Sequence, residues 1–169
     1  MTETKTLILN ADQIRQKTDR IAYQIYENNF EEKEIIMAGI APKGYILAQR
    51  LAKKLEEIAK IKITLVEITV NKDNPLQDEV KLSIKPKEFS GKVVILVDDV
   101  LNSGKTLVYG LAPFLNVPVK RITTAVLVDR NHNRYPIKAD FVGLSLATTL
   151  QEHISVELAK SGKEAVYLM

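Results

Sequence analysis

Two stretches of this chain are apolar at every position instead of at every second one: Ile35 to Ile40, IIMAGI, and Val93 to Val97, VVILV. A strand with one wet face alternates polar and apolar residues, so an unbroken run demands cover on both faces. Cover is at hand, because Leu47, Leu51, Leu55 and Ile58 follow the first run at helical spacing and a helical pattern from Gly104 to Leu115 follows the second. Such helices also supply the crossovers that parallel strands need. The pattern predicts an α/β fold with a mainly parallel twisted sheet flanked by helices, and ligands at the carboxyl ends of its strands.

The remaining elements fit that frame. A short strand is expected at Thr6 to Leu9, after which Asn10 and Gln13 have the spacing of a capping box, and Ile14, Thr18, Ile21 and Ile25 form the stripe of a first helix running to about Glu27. Further strands are expected at Ile61 to Val70, Val80 to Ile84 and Arg121 to Val128, with short ones at Phe141 to Leu146, Ile154 to Leu158 and Ala165 to Met169. The polar stretch from Asn71 to Glu79, NKDNPLQDE, reads as a flexible loop. With 169 residues, no repeat and no Pro/Gly/Ser linker, a single domain over residues 1–169 is expected.

The chain has no cysteine, which removes disulfides, thiolate metal sites and cysteine nucleophiles. Its first residues, MTETKTLILN, are too polar for a secretory signal, and no apolar run suits a membrane helix. A complete, cytoplasmic protein without a membrane partner is the expectation. Lys and Arg number 24 against 21 Asp and Glu, interleaved, so attraction to anions must be local.

That local feature follows the second apolar run. Asp98 and Asp99 stand side by side, where like charges repel unless a ligand satisfies them. Next come Leu101, Asn102, Ser103, Gly104, Lys105 and Thr106, which offer backbone amides, two hydroxyls and a glycine for a tight turn. A sugar phosphate would occupy both halves, its vicinal hydroxyls on the carboxylates and its phosphate in the loop. Gly104-Lys105-Thr106 also ends like a nucleoside-triphosphatase loop, but the glycine required five positions earlier is Asp99. A bland alternative is that the two acids only end a strand and cap a helix.

An apolar strand, two acids, a short variable stretch and Ser/Thr-Gly-x-Thr is the signature of the type I phosphoribosyltransferases, and Val94 to Thr106 resembles it throughout. The resemblance implies their fold, with a small hood and a flexible loop, and 5-phosphoribosyl 1-diphosphate and a nucleobase as partners. Asp98 and Asp99 would hold the ribose hydroxyls, and residues Leu101 to Thr106 the 5-phosphate. Ala41, Pro42, Lys43 and Gly44 would form the diphosphate loop, with Lys43 joining the two acids in catalysis. Lys72, on the flexible loop, would also reach diphosphate. The resemblance implies Mg²⁺ as cofactor, held by substrate oxygens and water with Asp98 and Asp99 as its nearest protein groups, and needing no dedicated side-chain site.

Within the family, the chain resembles most the bifunctional regulators of pyrimidine operons that are also uracil phosphoribosyltransferases. Asp19-Arg20-Ile21-Ala22, Gly39-Ile40, Glu67 and the run from Ala125 to Gly143 carry this likeness. It implies uracil as acceptor, Asp129, Arg130, Phe141 and Val142 around the base, and a homodimer or higher homo-oligomer. Asn102 and Asp129 replace the aspartate and lysine of purine enzymes, so a purine acceptor is the lesser alternative. The other alternative is an RNA-binding regulator with Arg15, Lys17 and Arg20 on its first helix. Tyr23 and Asp19 replace a histidine and a threonine of the regulators there, and the loops at 41–44 and 71–74 also differ from theirs, so RNA is the weaker partner. His132 and His153 read as ordinary surface histidines.

Overall fold

The computed structural model describes residues 4–149 and 151–169. Nine strands and three α-helices are ordered β1 (Thr6–Leu9), α1 (Ala11–Asn29), β2 (Glu34–Ile40), α2 (Lys43–Ile58), β3 (Lys62–Thr69), β4 (Lys81–Leu82), β5 (Val93–Leu101), α3 (Lys105–Leu111), β6 (Arg121–Asp129), β7 (Phe141–Ser145), β8 (Ile154–Glu157) and β9 (Ala165–Leu168). The main sheet has six strands in the order β4-β3-β2-β5-β6-β7. All its pairings are parallel except that of the short edge strand β4 with β3.

Period-two geometry explains why β2 and β5 need no polar residues. Ile35, Met37, Val93, Ile95 and Val97 pack with α1 and α2 on one face. Ile36, Ala38, Ile40, Val94 and Leu96 pack on the other with Leu107 of α3, Phe89 and Phe114. Each strand thus feeds two cores. Phe89 and Phe114 lie on short 3-10 turns, with ring centroids 5.1 Å apart in a tilted pair.

The expected capping box is present: Gln13 N donates to Asn10 Oδ1 and Asn10 N to Gln13 Oε1, both at 2.9 Å. The helix after β5 is shorter than its stripe suggests, because Pro113 lies in a 3-10 turn, Ala112–Asn116, that takes over from it.

The three terminal strands do not extend the main sheet. They form a separate antiparallel sheet, β1-β9-β8, whose Leu9, Val156 and Val166 join the core on the α1 and α2 side. Short strands far apart in sequence carry no signal of which sheet they enter.

The chain leaves β2 for β3 on one side of it, and β5 then enters on the other. Such a reversal leaves a crevice at the carboxyl ends of the two central strands. Gly39 of β2 pairs with Val97, and Leu101 of β5 with Asp129 at the end of β6. The crevice therefore opens on Ala41, Asp98 and Asp129.

Candidate active site

β5 runs to Leu101, so Asp98 and Asp99 belong to the strand itself and do not follow its end. Both are buried, with 3% and 8% of their surface exposed. Asp99 N donates to Asp98 Oδ1 at 2.9 Å, and Lys72 Nζ lies 3.9 Å from the same oxygen. Burial, then the adjacent negative charge of Asp99, push the Asp98 carboxyl well above the usual carboxylate range, with Lys72 opposing them. A group held that way gains from any ligand that brings hydroxyl donors or positive charge.

Two close approaches assemble the rest. Gly44, in the first turn of α2, lies so near β5 that an added Cβ would stand 2.7 Å from Val97 O, 2.9 Å from Asp98 Cα and 3.1 Å from Asp98 Oδ1. The helix start carrying Lys43 thus rests on the acidic strand. Ala41 N donates to Ile68 O at 2.9 Å, fixing the loop to β3, and the Ala41-Pro42 peptide is cis.

Gly104 has φ +89°, a left-handed conformation, and its missing Cβ makes room for Ile137 Cγ2, which would lie 2.5 Å away. Lys105 N donates to Ser103 Oγ at 3.2 Å, and Ser103 O accepts from Arg134 N and Tyr135 N at 2.8 and 3.0 Å. The loop after β6 therefore backs the loop after β5. Within the loop after β5 lies a hollow of about 40 Å³, lined by Asp98 and residues 100–107. It has room for about three waters, the scale of a single tetrahedral oxyanion.

At the end of β6, Asp129 Oδ1 accepts from Asn131 N at 2.9 Å, and Asp129 O accepts from Leu146 N at 2.9 Å. Two expected neighbours are elsewhere. Phe141 and Val142 pair with Ala125 and Val126, four and three residues before Asp129, which is about 10–13 Å along the strand. Phe141 is buried in the core and Val142 packs against the opposite core. The residues beside Asp129 are instead Ser145 and Leu146.

Arg130 is engaged by its own chain. Its guanidinium faces protein groups: Nε donates to Thr148 Oγ1 at 2.6 Å, Nη2 to Thr149 O at 2.8 Å and to Glu152 O, and Nη1 lies 3.5 Å from Asn102 Oδ1. Sequence reasoning missed this segment, since Thr148 and Thr149 form no motif. It also missed His132, which is partly buried and whose Nε2 donates to Thr148 O at 2.7 Å. His153 is exposed, as expected.

Comparison with known proteins decides the family. The model of the phosphoribosyl transferase domain matches residues 6–160. The chain belongs to the phosphoribosyltransferase family. Among relatives of this phosphoribosyltransferase, the bifunctional protein PyrR of Fusobacterium nucleatum is 40% identical, covering 96% of this chain and 97% of that one. The bifunctional protein PyrR of Pelotomaculum thermopropionicum is 35% identical, covering 100% and 98%. A hypoxanthine-guanine phosphoribosyltransferase from Bacillus anthracis has the same fold, with a TM-score of 0.74 at 21% identity over 97% of each chain. The fold is thus the type I phosphoribosyltransferase fold, on the PyrR branch of the family.

The transferase's first helix serves its own structure more than the RNA reading expected. Arg20 Nη2 donates to Gly143 O at 2.6 Å and to Val142 O at 3.3 Å, and Arg15 pairs with Asp12 at 3.4 Å. A groove of about 610 Å³ lies between α1, α2 and the 161–164 turn, with Arg15, Arg50, Lys53 and Lys54 balanced by Asp12, Asp19, Glu57 and Glu164. Such a lining is not a basic track for a polyanion. Among the described residues, no helix is long and apolar enough to cross a membrane, and no three acidic or histidine side chains converge as a metal site.

Proposed function

We propose that this phosphoribosyltransferase carries the 5-phosphoribosyl group from phosphoribosyl diphosphate to uracil, releasing diphosphate and UMP, within one domain. The observation that carries the reading is the contact of Gly44 with Asp98, which sets the Ala41–Gly44 loop against the carboxylates that adjoin the oxyanion-sized hollow. Three sites in a row match the three parts of the substrate.

Asp98 and Asp99 accept the ribose hydroxyls, and the amides and hydroxyls between Leu101 and Thr106 take the 5-phosphate. The Lys43 and Gly44 amides and the Lys43 and Lys72 ammonium groups face the diphosphate, while Ala41 and Pro42 shape the loop that presents them. As the C1–oxygen bond breaks, positive charge grows on the ring and negative charge on the leaving group. The carboxylates stabilise the first and the lysines the second. The acceptor nitrogen then bonds to C1 and gives up its proton. Mg²⁺ suits this site, since Asp98 and Asp99 offer hard oxygens and substrate and water complete the set. When bound, it neutralises diphosphate charge.

Asp129 favours uracil because a carboxylate accepts from a ring N–H, whereas a purine 6-oxo group wants a donor. The PyrR relatives support the same choice. A panel of bases with phosphoribosyl diphosphate and Mg²⁺, read as diphosphate release, tests it. Uracil should lead every purine by at least about tenfold, as expected for a lost buried hydrogen bond. Equal or faster turnover of hypoxanthine or guanine would sink the assignment.

RNA regulation is the second reading, on Arg15 and Lys17 of α1 without Arg20. It predicts nucleotide-dependent RNA affinity that falls steeply with salt.

A further inference from the structure

We propose that Arg130 is a positioning residue that holds the acceptor wall in register with the sugar-phosphate loop. The inference rests on the transfer reaction above. The acceptor's place is set by Asp129 and by the chain that follows β7, since Leu146 N donates to Asp129 O. That chain continues into Thr148 and Thr149, which have left the sheet and need another anchor.

Arg130 supplies it from below. Its backbone N donates to Leu101 O at 3.0 Å, attaching it to the strand that opens the phosphate loop. The residue is 9% exposed, and its side chain bonds Thr148 Oγ1, Thr149 O and Glu152 O on one side and reaches Asn102 Oδ1 on the other. The planar fork serves all of these directions at once, which the single ammonium of a lysine cannot do. His132, donating to Thr148 O, adds a second tie to the same residue.

Asn102 belongs to the sugar-phosphate loop and Thr148 to the acceptor wall, so the guanidinium spans the interval across which the nitrogen must meet C1. Reacting atoms have to be held about 3–3.5 Å apart, and a misplacement of about 1 Å can cost a hundredfold in rate. Loosening the wall should therefore affect the acceptor and the chemical step, and leave the phosphoribosyl site intact.

The test uses the full-length Arg130→Lys, Arg130→Ala and Thr148→Ala proteins, with steady-state kinetics in each substrate, calorimetric titration of phosphoribosyl diphosphate and thermal melts. For Arg130→Ala, kcat/KM for uracil should fall by about tenfold or more, while the affinity for phosphoribosyl diphosphate stays within about threefold. Added guanidinium ion should restore part of that loss and ethylammonium none. Thr148→Ala, which keeps the arginine, should show the same split in milder form. Wild-type kinetics in all three variants would overturn the inference, as would losses that fall equally on both substrates without guanidinium rescue. A wild-type protein inactive on every base would instead overturn the transfer reading.

Discussion

Substituting Gly44 with alanine tests whether the contact between α2 and β5 builds the site. Gly44 is helical and has no positive φ, so alanine strains no backbone angle, and helix propensity alone would favour it by about 1 kcal/mol. The new methyl would lie 2.7 Å from Val97 O and 2.9 Å from Asp98 Cα. Carbon approaches oxygen and carbon comfortably at about 3.3–4.0 Å, so helix and strand must separate by about 0.6–1 Å. Overpacking of this kind costs about 1–3 kcal/mol, and after the propensity gain the net loss of stability is about 0–2 kcal/mol. Catalysis should suffer far more, by roughly a hundredfold, because the diphosphate loop moves away from the carboxylates. Urea melts and initial rates of diphosphate release separate the effects. Gly162→Ala is the control: φ is +82° with nothing within 4 Å of an added Cβ, so it should lose about 1–2 kcal/mol from backbone strain alone and keep its activity. A Gly44→Ala enzyme within threefold of wild type would refute the reasoning.

Asp98→Asn should raise the melting temperature at about pH 8 while reducing transfer. The raised carboxyl contributes stability only while protonated, fully below its unfolded value near 3.9, and loses it as pH climbs through the folded value, so the variant's advantage should shrink toward about pH 4. Melts across that range check it, and a variant less stable at high pH would oppose it. Phe141→Leu should cost about 1 kcal/mol of stability by leaving a small core void, with KM for uracil unchanged, measured by denaturant melts and acceptor kinetics. Arg20→Ala should lower thermal stability by about 1–3 kcal/mol through loss of its charged bonds to Gly143 O and Val142 O, and leave any RNA affinity as it was in filter-binding assays.

Unbroken apolar runs in β2 and β5 made the covered parallel sheet legible, because period-two geometry leaves a two-sided strand no alternative. Asp98, Asp99, Ser103 and Gly104 were legible for a different reason: they are neighbours in sequence, so the spacing of the motif is already the spacing of the site. The acceptor side was not. The family resemblance makes Phe141 a pocket residue, but its pairing with Ala125 puts it four residues back along β6 from Asp129. The same resemblance puts Arg130 near the base, and only the fold shows the carbonyls of Thr149 and Glu152 that occupy it. Likewise, β1 finds β9 across almost the whole length of the chain, a pairing that no local pattern encodes.

In the proposed reaction the acidic pair and the loop after it act as one sugar-phosphate site. Calorimetric titration of phosphoribosyl diphosphate with Mg²⁺ into wild type and into Asp98→Asn/Asp99→Asn measures this directly. Loss of two charge-assisted hydrogen bonds, at about 1.5–3 kcal/mol each, predicts binding weaker by about a hundredfold or more, while inorganic phosphate binds both proteins alike. Equal affinity of the two proteins for phosphoribosyl diphosphate would contradict it.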